Sequence, residues 1–305
     1  MNEKYTCKKI NSLAEMPIDF VKSCTADYHA KIEKTAKRIF VDKSKKIVML
    51  AGPSSSGKTT TAKLLSQKLE KLGSKAYTVS LDDFYHPHSV GYPLDENGEP
   101  DYECVEALDI GLLHSSLGEL IRNGKADLPV FDFMTGERIN NAKSIELSEN
   151  DVIIVEGLHA LNPVITDTLN DENLYKIYVS VSSRVYDDNE EVLLSKRDLR
   201  FIRRMVRDFS FRSTSVEETF DIWERVMRGE DKYLFPFEYR ADVRIDSFHP
   251  CESCVLAGKA IPLLDHIKDG EFSVKANELK EKLRLFKEIN YSVLPADSLL
   301  REFTG

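Results

Sequence analysis

Four short runs of apolar residues are typical of buried β-strands. They lie at residues 45–52, 75–81, 151–157 and 174–181. Apolar positions at helical spacing predict further helices at residues 18–40 and 59–73, the second ending at the glycine Gly73. Strands that are almost wholly apolar and alternate with helices indicate a parallel sheet with helices on both faces. We therefore predict an α/β fold with a doubly wound, mainly parallel sheet.

The segment between the second and third apolar runs is rich in loops. Residues 82–109, "DDFYHPHSVGYPLDENGEPDYECVEALD", contain prolines and glycines that interrupt regular structure. Loops over the carboxyl ends of parallel strands hold the ligands in such folds, so we expect part of a binding site here. After residue 250 the pattern is helical again, with a helix predicted at 278–289, whereas the last residues, "NYSVLPADSLLREFTG", suggest no chemistry.

Composition and charge narrow the class of protein. The chain has 305 residues, of which 42% are hydrophobic and 30% charged, as in soluble globular proteins. Its formal net charge of -9 counts against a broad nucleic-acid surface. No long uncharged apolar run or leader is seen, so we expect a cytoplasmic protein with no membrane contact. The odd number of cysteines fits reduced thiols, which we favour over a zinc site at Cys251, Cys254 and His249.

The segment "GPSSSGKT", residues 52–59, matches the phosphate-binding loop motif G-x-x-x-x-G-K-[ST] between a strand and a helix. Its glycines let the backbone curl so that N–H groups point at phosphate oxygens, and the helix N-terminus adds positive potential. A lysine here suits the β- and γ-phosphates, and the next hydroxyl suits Mg²⁺. The strand-to-helix setting counts against an unrelated serine-glycine turn. We therefore predict that ATP is bound by Gly52, Ser54, Ser55, Ser56, Gly57, Lys58, Thr59 and Thr60.

Carboxylates follow two of the predicted strands. Asp82 and Asp83 come after the second apolar run, and Glu156 closes the third. A carboxylate at the sheet edge next to the loop can accept the proton of an acceptor hydroxyl or hold magnesium. An isolated Asp pair after a strand would more often form a turn or a helix cap. With the loop in the same chain, we predict a Mg²⁺ site formed by Thr59, Asp82 and Glu156.

A basic segment, "SKRDLRFIRRMVRDFSFRSTS", covers residues 195–215. If residues 197–209 form a helix, one third of the helix circumference carries Arg197, Arg200, Arg203, Arg204 and Arg207. The opposite side carries Leu199, Ile202, Met205, Val206 and Phe209. Like charges at this spacing cost a few tenths of a kcal/mol per pair. Acidic residues at 187–191 could relieve that cost on a solvated face, but guanidinium groups that meet transferring phosphates explain the stripe better in a chain with this loop.

Taken in order, these motifs resemble the uridine kinase and phosphoribulokinase family. The matching segments are "AGPSSSGKTT", "VSLDDFY", "LPVFDFMTGER", "DVIIVEGLHALNP", "RRMVRDFSFR" and "ADVRI". They span roughly residues 45–246, and the tail of this region is similar to a bacterial uridine kinase-like subgroup. The resemblance implies transfer of the ATP γ-phosphate to a primary hydroxyl, which in uridine kinases is the ribose 5′-hydroxyl. Members of the family commonly form homo-oligomers.

The resemblance also implies roles for individual residues. Asp82 matches the base, Glu156 the acid near magnesium, and Lys58 with Thr59 the loop pair. The catalytic set is then Asp82, Lys58 and Arg204. Arg204, Arg207 and Arg212 match arginines of a mobile lid, at about residues 197–215, that closes on ATP and the acceptor. We predict that Arg203, Arg207 and Arg212 contact ATP. The acceptor-binding insertion would cover about residues 84–140. The residues that bind the acceptor would be Asp83, Tyr85, Tyr102, Glu103, Phe131, Phe133 and Arg138. Core packing is the alternative for the two phenylalanines.

Three positions depart from the uridine kinase pattern. Glu103 stands where the family has an aspartate for the ribose hydroxyls, and Gly136 replaces the histidine that contacts uracil. The Arg-Gly-Arg of the lid reads Arg212-Ser213-Thr214. A site built to hydrogen-bond a base discriminates strongly, so these changes leave the nucleobase open.

Three functions are open for the chain. The first is a kinase whose acceptor is a nucleoside or another ribosyl or polyol compound. The second is a kinase whose acceptor is a sugar phosphate or pantothenate-like compound, for which basic residues near Glu103 and Arg138 are expected. The third is a regulatory ATP-binding module without transfer activity, which the presence of Asp82 and Glu156 argues against.

The motifs divide the chain into three predicted parts. These are an N-terminal helical extension at 1–43, a P-loop kinase domain at 44–250 and a C-terminal helical extension at 251–305 packed on the kinase domain. The predicted partners are ATP with Mg²⁺ and a small hydroxyl-bearing acceptor, with no nucleic acid and no membrane.

Overall fold

The computed structural model describes residues 4–305 of the chain. Its strands are β1 (Tyr5–Thr6), β2 (Ile47–Ala51), β3 (Ala76–Ser80), β4 (Lys125–Asp132), β5 (Glu137–Glu146), β6 (Val152–Glu156), β7 (Leu174–Ser180), β8 (Val185–Tyr186), β9 (Val192–Leu194) and β10 (Val243–Asp246). Its α-helices are α1 (Cys7–Leu13), α2 (Pro17–Val41), α3 (Lys58–Lys71), α4 (Ile110–Asn123), α5 (Pro163–Thr166), α6 (Lys196–Phe211), α7 (Val216–Tyr233), α8 (Glu252–Leu264), α9 (Ser273–Arg284) and α10 (Arg301–Thr304).

Five parallel strands form the central sheet in the order β10-β7-β2-β6-β3. Along the middle strand β2, Ile47 and Met49 belong to one buried apolar cluster and Val48 and Leu50 to the other. Helices thus cover both faces of the sheet, which confirms the predicted fold class. The pattern did not predict the edge strand β10, because its four residues alternate in polarity and only Ile245 is buried.

A long antiparallel hairpin, β4 with β5, stands outside the central sheet. It was not predicted as strands, since nearly every residue of β5 is exposed or half-buried and shows no apolar alternation. Its turn ends at Gly136, whose φ of 69° lies in the left-handed region that favours glycine. Strand β4 of the hairpin packs against the short helical turn Leu81–Phe84, which follows β3.

Both termini of the described chain pack against the sheet and its helices. One buried cluster includes Tyr28 of α2, Leu64 of α3, Leu283 of α9 and Phe303 of α10. The Tyr28 hydroxyl shares a hydrogen bond of 2.5 Å with the hydroxyl of Thr61 in α3. The helical additions that the sequence predicts at both ends therefore share a core with the central sheet.

The helix predicted at 278–289 is shifted in the structure. Helix α9 covers Ser273–Arg284. It ends there because the N–H groups of Leu285 and Phe286 donate three residues back, which tightens the last turn, and the Phe286 side chain turns into the core. Within residues 4–305, no helix has the length and apolar run required to cross a lipid bilayer.

Candidate active site

The predicted phosphate-binding loop connects the middle strand β2 to helix α3. Gly57 caps the helix with a φ of 87°, a conformation in which a Cβ would be strained. Gly52 lies so close to strand β7 that a Cβ would stand 2.1 Å from the Val179 carbonyl oxygen. Both glycines are therefore required by the backbone, and the N-terminus of α3, an end of a helix that attracts anions, follows them directly.

Lys58 lies at the start of α3 with its ammonium group bent back to the loop. Its Nζ donates to the carbonyl oxygens of Gly52 at 2.9 Å and Pro53 at 3.2 Å. A phosphate at the loop would compete with these two carbonyls for the ammonium group, because a charged acceptor forms the stronger hydrogen bond.

Asp82 and Glu156 come together at the carboxyl ends of neighbouring strands. Glu156 is the last residue of β6 and is paired in register with Ser80 of β3, whose hydroxyl donates to Glu156 Oε1 at 3.1 Å. Asp82 follows in the turn after β3. The strand-end prediction of the sequence is therefore right about where these carboxylates lie.

The surroundings of the two carboxyls raise their pKa values. Burial raises the pKa of Glu156 to about 7, against the lowering effect of Lys58. The Asp82 side chain is exposed to the cleft, yet the protein around it removes enough water to raise its pKa, while Lys58 and Arg212 act in the opposite direction. Carboxyls held in this way bind a proton or a cation readily, as acid–base and metal-binding groups do.

Asp83 differs from its neighbour. Its Oδ1 accepts a hydrogen bond of 3.3 Å from the backbone N–H of Phe131 in β4. Asp83 thus fastens the hairpin to the turn after β3. This contact fits a positioning role better than the direct acceptor contact that the sequence suggested.

Two arginines of α6 point into the protein rather than toward a ligand. Arg203 is 0% exposed and pairs with the buried Glu252, and its Nη2 donates to the Ser247 carbonyl at 2.8 Å. Arg200 forms a two-pronged pair with Glu230, at 2.6 and 2.8 Å. The predicted direct contact of Arg203 with ATP is therefore wrong for this structure, because its guanidinium is fully enclosed and already neutralised.

These buried pairs still act on the phosphate-binding loop. Arg203 donates to the Ser55 carbonyl at 3.3 Å and Arg200 to the Ser54 carbonyl at 3.1 Å. Glu230 accepts from the Ser54 N–H at 2.8 Å. The pairs fix the loop backbone from behind. The partners that relieve the arginine stripe are Glu230, Glu252, Asp231 and Asp208, not the acids at 187–191.

Three further arginines of the predicted lid gather around a single carboxylate. Arg204, Arg207 and Arg212 lie 3.2, 2.7 and 3.5 Å from the carboxyl oxygens of Asp208. Arg204 also donates to the Ser54 hydroxyl of the loop at 2.7 Å. Burial lowers the pKa of Arg204 and of Arg212, with Arg207 adding to the effect. Three cations share one anion, so this cluster carries surplus positive charge beside the loop.

Six rings form an aromatic cluster beside Asp82, with contacting ring centroids 4.8 to 6.4 Å apart. Its members are Tyr85, His88, Tyr92, Tyr102, Phe131 and Phe133. Phe131 is buried, but Phe133 is 65% exposed, which argues against core packing for the second of these phenylalanines. The sequence did not single out His88 and Tyr92, and only their place in the loop-rich segment hinted at them.

Glu103 lies where the cluster meets helix α7. A Cβ on Gly229 would stand 2.6 Å from the Glu103 Cβ, so the two segments pack without a gap. Burial raises the pKa of Glu103 to about 7, opposed by Arg204. Beside it is a cavity of about 370 Å³ bounded on one side by α7. Its charged lining residues are Asp95, Glu96, Asp101, Glu103, Arg204, Arg225, Arg228 and Lys232.

Arg138 has a partner of its own. Its Nη1 lies 3.0 Å from Asp109 Oδ2, at the N-terminus of α4. The ion pair joins the hairpin to the start of α4, and contact of Arg138 with the acceptor stays a prediction.

Glu302 is a residue that the sequence gave no reason to choose. Its carboxylate accepts from the hydroxyl of Thr60 at 2.5 Å and from the Thr60 N–H at 3.3 Å. Leu299 lies against Gly57, where a Cβ would be 2.5 Å from its Cδ1. The end of the chain is therefore part of this site, and a carboxylate takes hydrogen bonds that the helix N-terminus offers to phosphate.

A loop of this kind on the middle strand, with carboxylates at the next strand ends and arginines above it, is built to hold a triphosphate against a hydroxyl. These features define a P-loop kinase. Residues 47–252 match the Phosphoribulokinase / Uridine kinase family, and this chain belongs to that family.

Curated relatives agree with this assignment. Over 208 residues the chain is 32% identical to a uridine kinase of Staphylococcus aureus strain JH9, an alignment that covers 67% of this chain and 88% of the relative. The chain is a phosphotransferase with an alcohol group as acceptor, acting on a small substrate. Kinases of this family use ATP with a divalent metal.

A solved structure shows the same fold. It is a candidate fructose transport system kinase from Silicibacter sp. TM1040, with a TM-score of 0.51 and 18% sequence identity. The superposition covers 70% of this chain and 98% of that one. At this identity the likeness concerns the fold alone.

Proposed function

We propose that this protein transfers the γ-phosphate of ATP to the ribose 5′-hydroxyl of a nucleoside. The observation that carries the proposal is the position of Asp82, at a strand end beside the phosphate-binding loop and next to the aromatic cluster. Aromatic faces suit a planar base, and a carboxylate at this point suits the hydroxyl that receives the phosphate.

Asp82 is proposed as the group that accepts the proton of the acceptor hydroxyl. Lys58 and Arg212 favour its charged form, while the surrounding protein, which removes water from the carboxyl, favours the protonated form and raises its pKa. A base whose pKa lies above the ordinary carboxyl value takes a proton more readily in the transition state. Activity should therefore fall as the pH is lowered, because a protonated Asp82 cannot accept the proton of the acceptor hydroxyl.

The metal is proposed to be Mg²⁺, held through Thr59, Asp82 and Glu156. All three donors are oxygen atoms, which Mg²⁺ prefers, and Glu156 has a raised pKa that a cation would lower. Among residues 4–305, no three acidic, histidine or cysteine side chains are already grouped as a metal site. Mg²⁺ in such enzymes is usually held by one or two carboxylates together with substrate phosphates. The ion would neutralise charge on the β- and γ-phosphate oxygens.

The surplus cations around Asp208 are proposed as the lid that stabilises the transferring phosphate. Arg204, Arg207 and Arg212 carry three positive charges for one carboxylate. Closing these guanidinium groups over the phosphates would also keep water from the reaction and limit ATP hydrolysis.

A second acceptor class is favoured by the cavity beside Glu103. Arg225, Arg228 and Lys232 line it, and basic residues near Glu103 are what a phosphorylated acceptor needs. Acidic residues line the same cavity, which weakens its attraction for an anion. A sugar phosphate is therefore the second candidate.

The test is an assay of ADP formation from ATP and Mg²⁺ with nucleosides, free sugars and sugar phosphates as acceptors. The proposal expects turnover that depends on a nucleoside and disappears in Asp82→Ala. Turnover with sugar phosphates alone would favour the second candidate. ATP binding with no turnover on any acceptor would favour a regulatory module.

A further inference from the structure

The ring of His88 occupies the space that Gly136 leaves. A Cβ at Gly136 would stand 2.1 Å from His88 Nδ1 and 2.4 Å from Cε1, well inside any van der Waals contact. The backbone N–H of His88 also donates to the Gly136 carbonyl at 2.9 Å. The loop and the hairpin turn are thus joined at this point, and only glycine at 136 lets the imidazole lie there.

The imidazole is part of the aromatic cluster. Its centroid lies 5.7 Å from that of Tyr92, 6.3 Å from Phe131 and 6.4 Å from Tyr102. The neighbouring rings offer mainly apolar faces, whereas an imidazole carries two ring nitrogens that donate or accept. The hydroxyls of Tyr85 and Tyr92 already donate to the backbone carbonyls of Tyr102 and His86, so His88 adds hydrogen-bonding groups that these two rings do not offer.

His88 differs from the histidines that serve the core. His249 is fully buried and its Nδ1 hydrogen-bonds the Ser247 carbonyl at 3.0 Å. His88 is exposed, and across residues 4–305 no protein group forms a hydrogen bond with its ring. A histidine that is held in place by packing and whose ring has no hydrogen-bond partner in the described protein is available to a ligand.

We propose that His88 is a specificity-determining residue that hydrogen-bonds the edge of a planar heterocycle, of the nucleobase class, in the acceptor. The heterocycle packs against the aromatic cluster while its hydroxyl-bearing part reaches Asp82. Gly136 is required for this role of His88, because any side chain at position 136 displaces the imidazole. The inference deepens the proposed function and rests on it.

The test compares His88→Phe with wild type. The variant keeps a ring of similar width but has no hydrogen-bonding atoms. We expect kcat/KM for nucleosides to fall about tenfold or more, mainly through KM, as happens when a site loses a hydrogen bond to its ligand. The KM for ATP and the turnover of acceptors without a heterocycle, such as free ribose, stay within twofold. Gly136→Ala should change the same parameters in the same direction.

His86→Phe is the matched control, since it makes the same change two residues away, outside the aromatic cluster. It should leave kcat/KM for nucleosides unchanged. Thermal unfolding of every variant shows whether the loop still folds, and His88→Phe keeps the test usable if Gly136→Ala disrupts the hairpin.

The outcomes separate the inference from the proposed function. If nucleosides are phosphorylated and His88→Phe works as well as wild type on all of them, the role of His88 is overturned while the nucleoside kinase stands. If wild type neither binds nucleosides by calorimetry nor phosphorylates them, both fail. Turnover of heterocycle-free acceptors alone overturns the His88 proposal and leaves a kinase of another specificity.

Discussion

Neighbouring arginines of α6 show how much a residue's surroundings decide its role. Arg203 is enclosed with Glu252, whereas Arg204 touches the loop hydroxyl of Ser54 and shares Asp208 with two other arginines. The sequence places both on one face of the helix. It cannot tell them apart, because the buried acid comes from α8, about fifty residues later in the chain.

The buried pair should matter for stability rather than for ATP contact. Replacing Arg203 by methionine leaves the Glu252 carboxyl buried without its cation. We expect Arg203→Met to lower the free energy of unfolding by about 3–5 kcal/mol, measured by urea denaturation. Arg197→Met removes an exposed pair with Asp231 and should cost about 1 kcal/mol or less. Equal losses in the two variants would contradict the different roles given to these arginines.

The buried carboxyls at the site should make stability depend on pH. In the folded protein burial raises the pKa of Glu156 from 4.5 to about 7. Between these values the folded protein holds more protons than the unfolded chain, so stability falls as pH rises through this window. Glu156→Gln removes the contribution of this carboxyl to the pH dependence of stability. We expect the variant to melt at a higher temperature than wild type at pH 8 but not at pH 4.5.

Thermal unfolding across this pH range measures the effect without substrate. The exposed Glu172 supplies the control, because Glu172→Gln should leave the pH dependence unchanged. A Glu156→Gln protein whose melting temperature differs from wild type equally at both pH values would contradict the raised pKa.

At the scale of elements, the sequence predicts the strands that are continuously apolar and the motifs that are fixed by their neighbours in the chain. Strands β2, β3, β6 and β7 were found because continuous apolar runs mark strands buried on both faces. The hairpin β4–β5 was missed, because β5 is exposed along nearly all its length and the buried residues of β4 alternate with more exposed ones instead of forming a continuous apolar run. The P-loop and the strand-end acids could be placed because local order fixes them, but contacts between distant segments could not.

The C-terminal helix α10 is the clearest of these distant contacts. Because Glu302 holds the N–H and hydroxyl of Thr60, its negative charge should oppose a phosphate at the N-terminus of α3. A repulsion of about 1 kcal/mol corresponds to roughly fivefold in affinity. We expect Glu302→Gln to bind ATP several times more tightly by calorimetry. Glu281→Gln, in the same terminal region but exposed, should bind ATP like wild type. Weaker ATP binding in Glu302→Gln would show that the carboxylate assists the nucleotide.

At the scale of the whole molecule, the reactive groups come from four distant parts of the chain. The loop follows β2, Asp82 follows β3, the arginines lie on α6, and Glu302 belongs to α10. The parallel sheet brings the first two to one edge, as the sequence predicts. The two ends of the described chain share a core with that sheet.

The central claim is that Asp82 is the base of a phosphotransferase. The most direct measurement compares kcat for the acceptor in Asp82→Asn and in Asp83→Asn, with ATP affinity measured in parallel. We predict that Asp82→Asn lowers kcat by about 10²–10⁴-fold while the Kd for ATP changes little, since general bases contribute this much. Asp83→Asn keeps an oxygen for the Phe131 N–H and should retain most of the activity. An Asp82→Asn enzyme with near wild-type kcat would contradict the account.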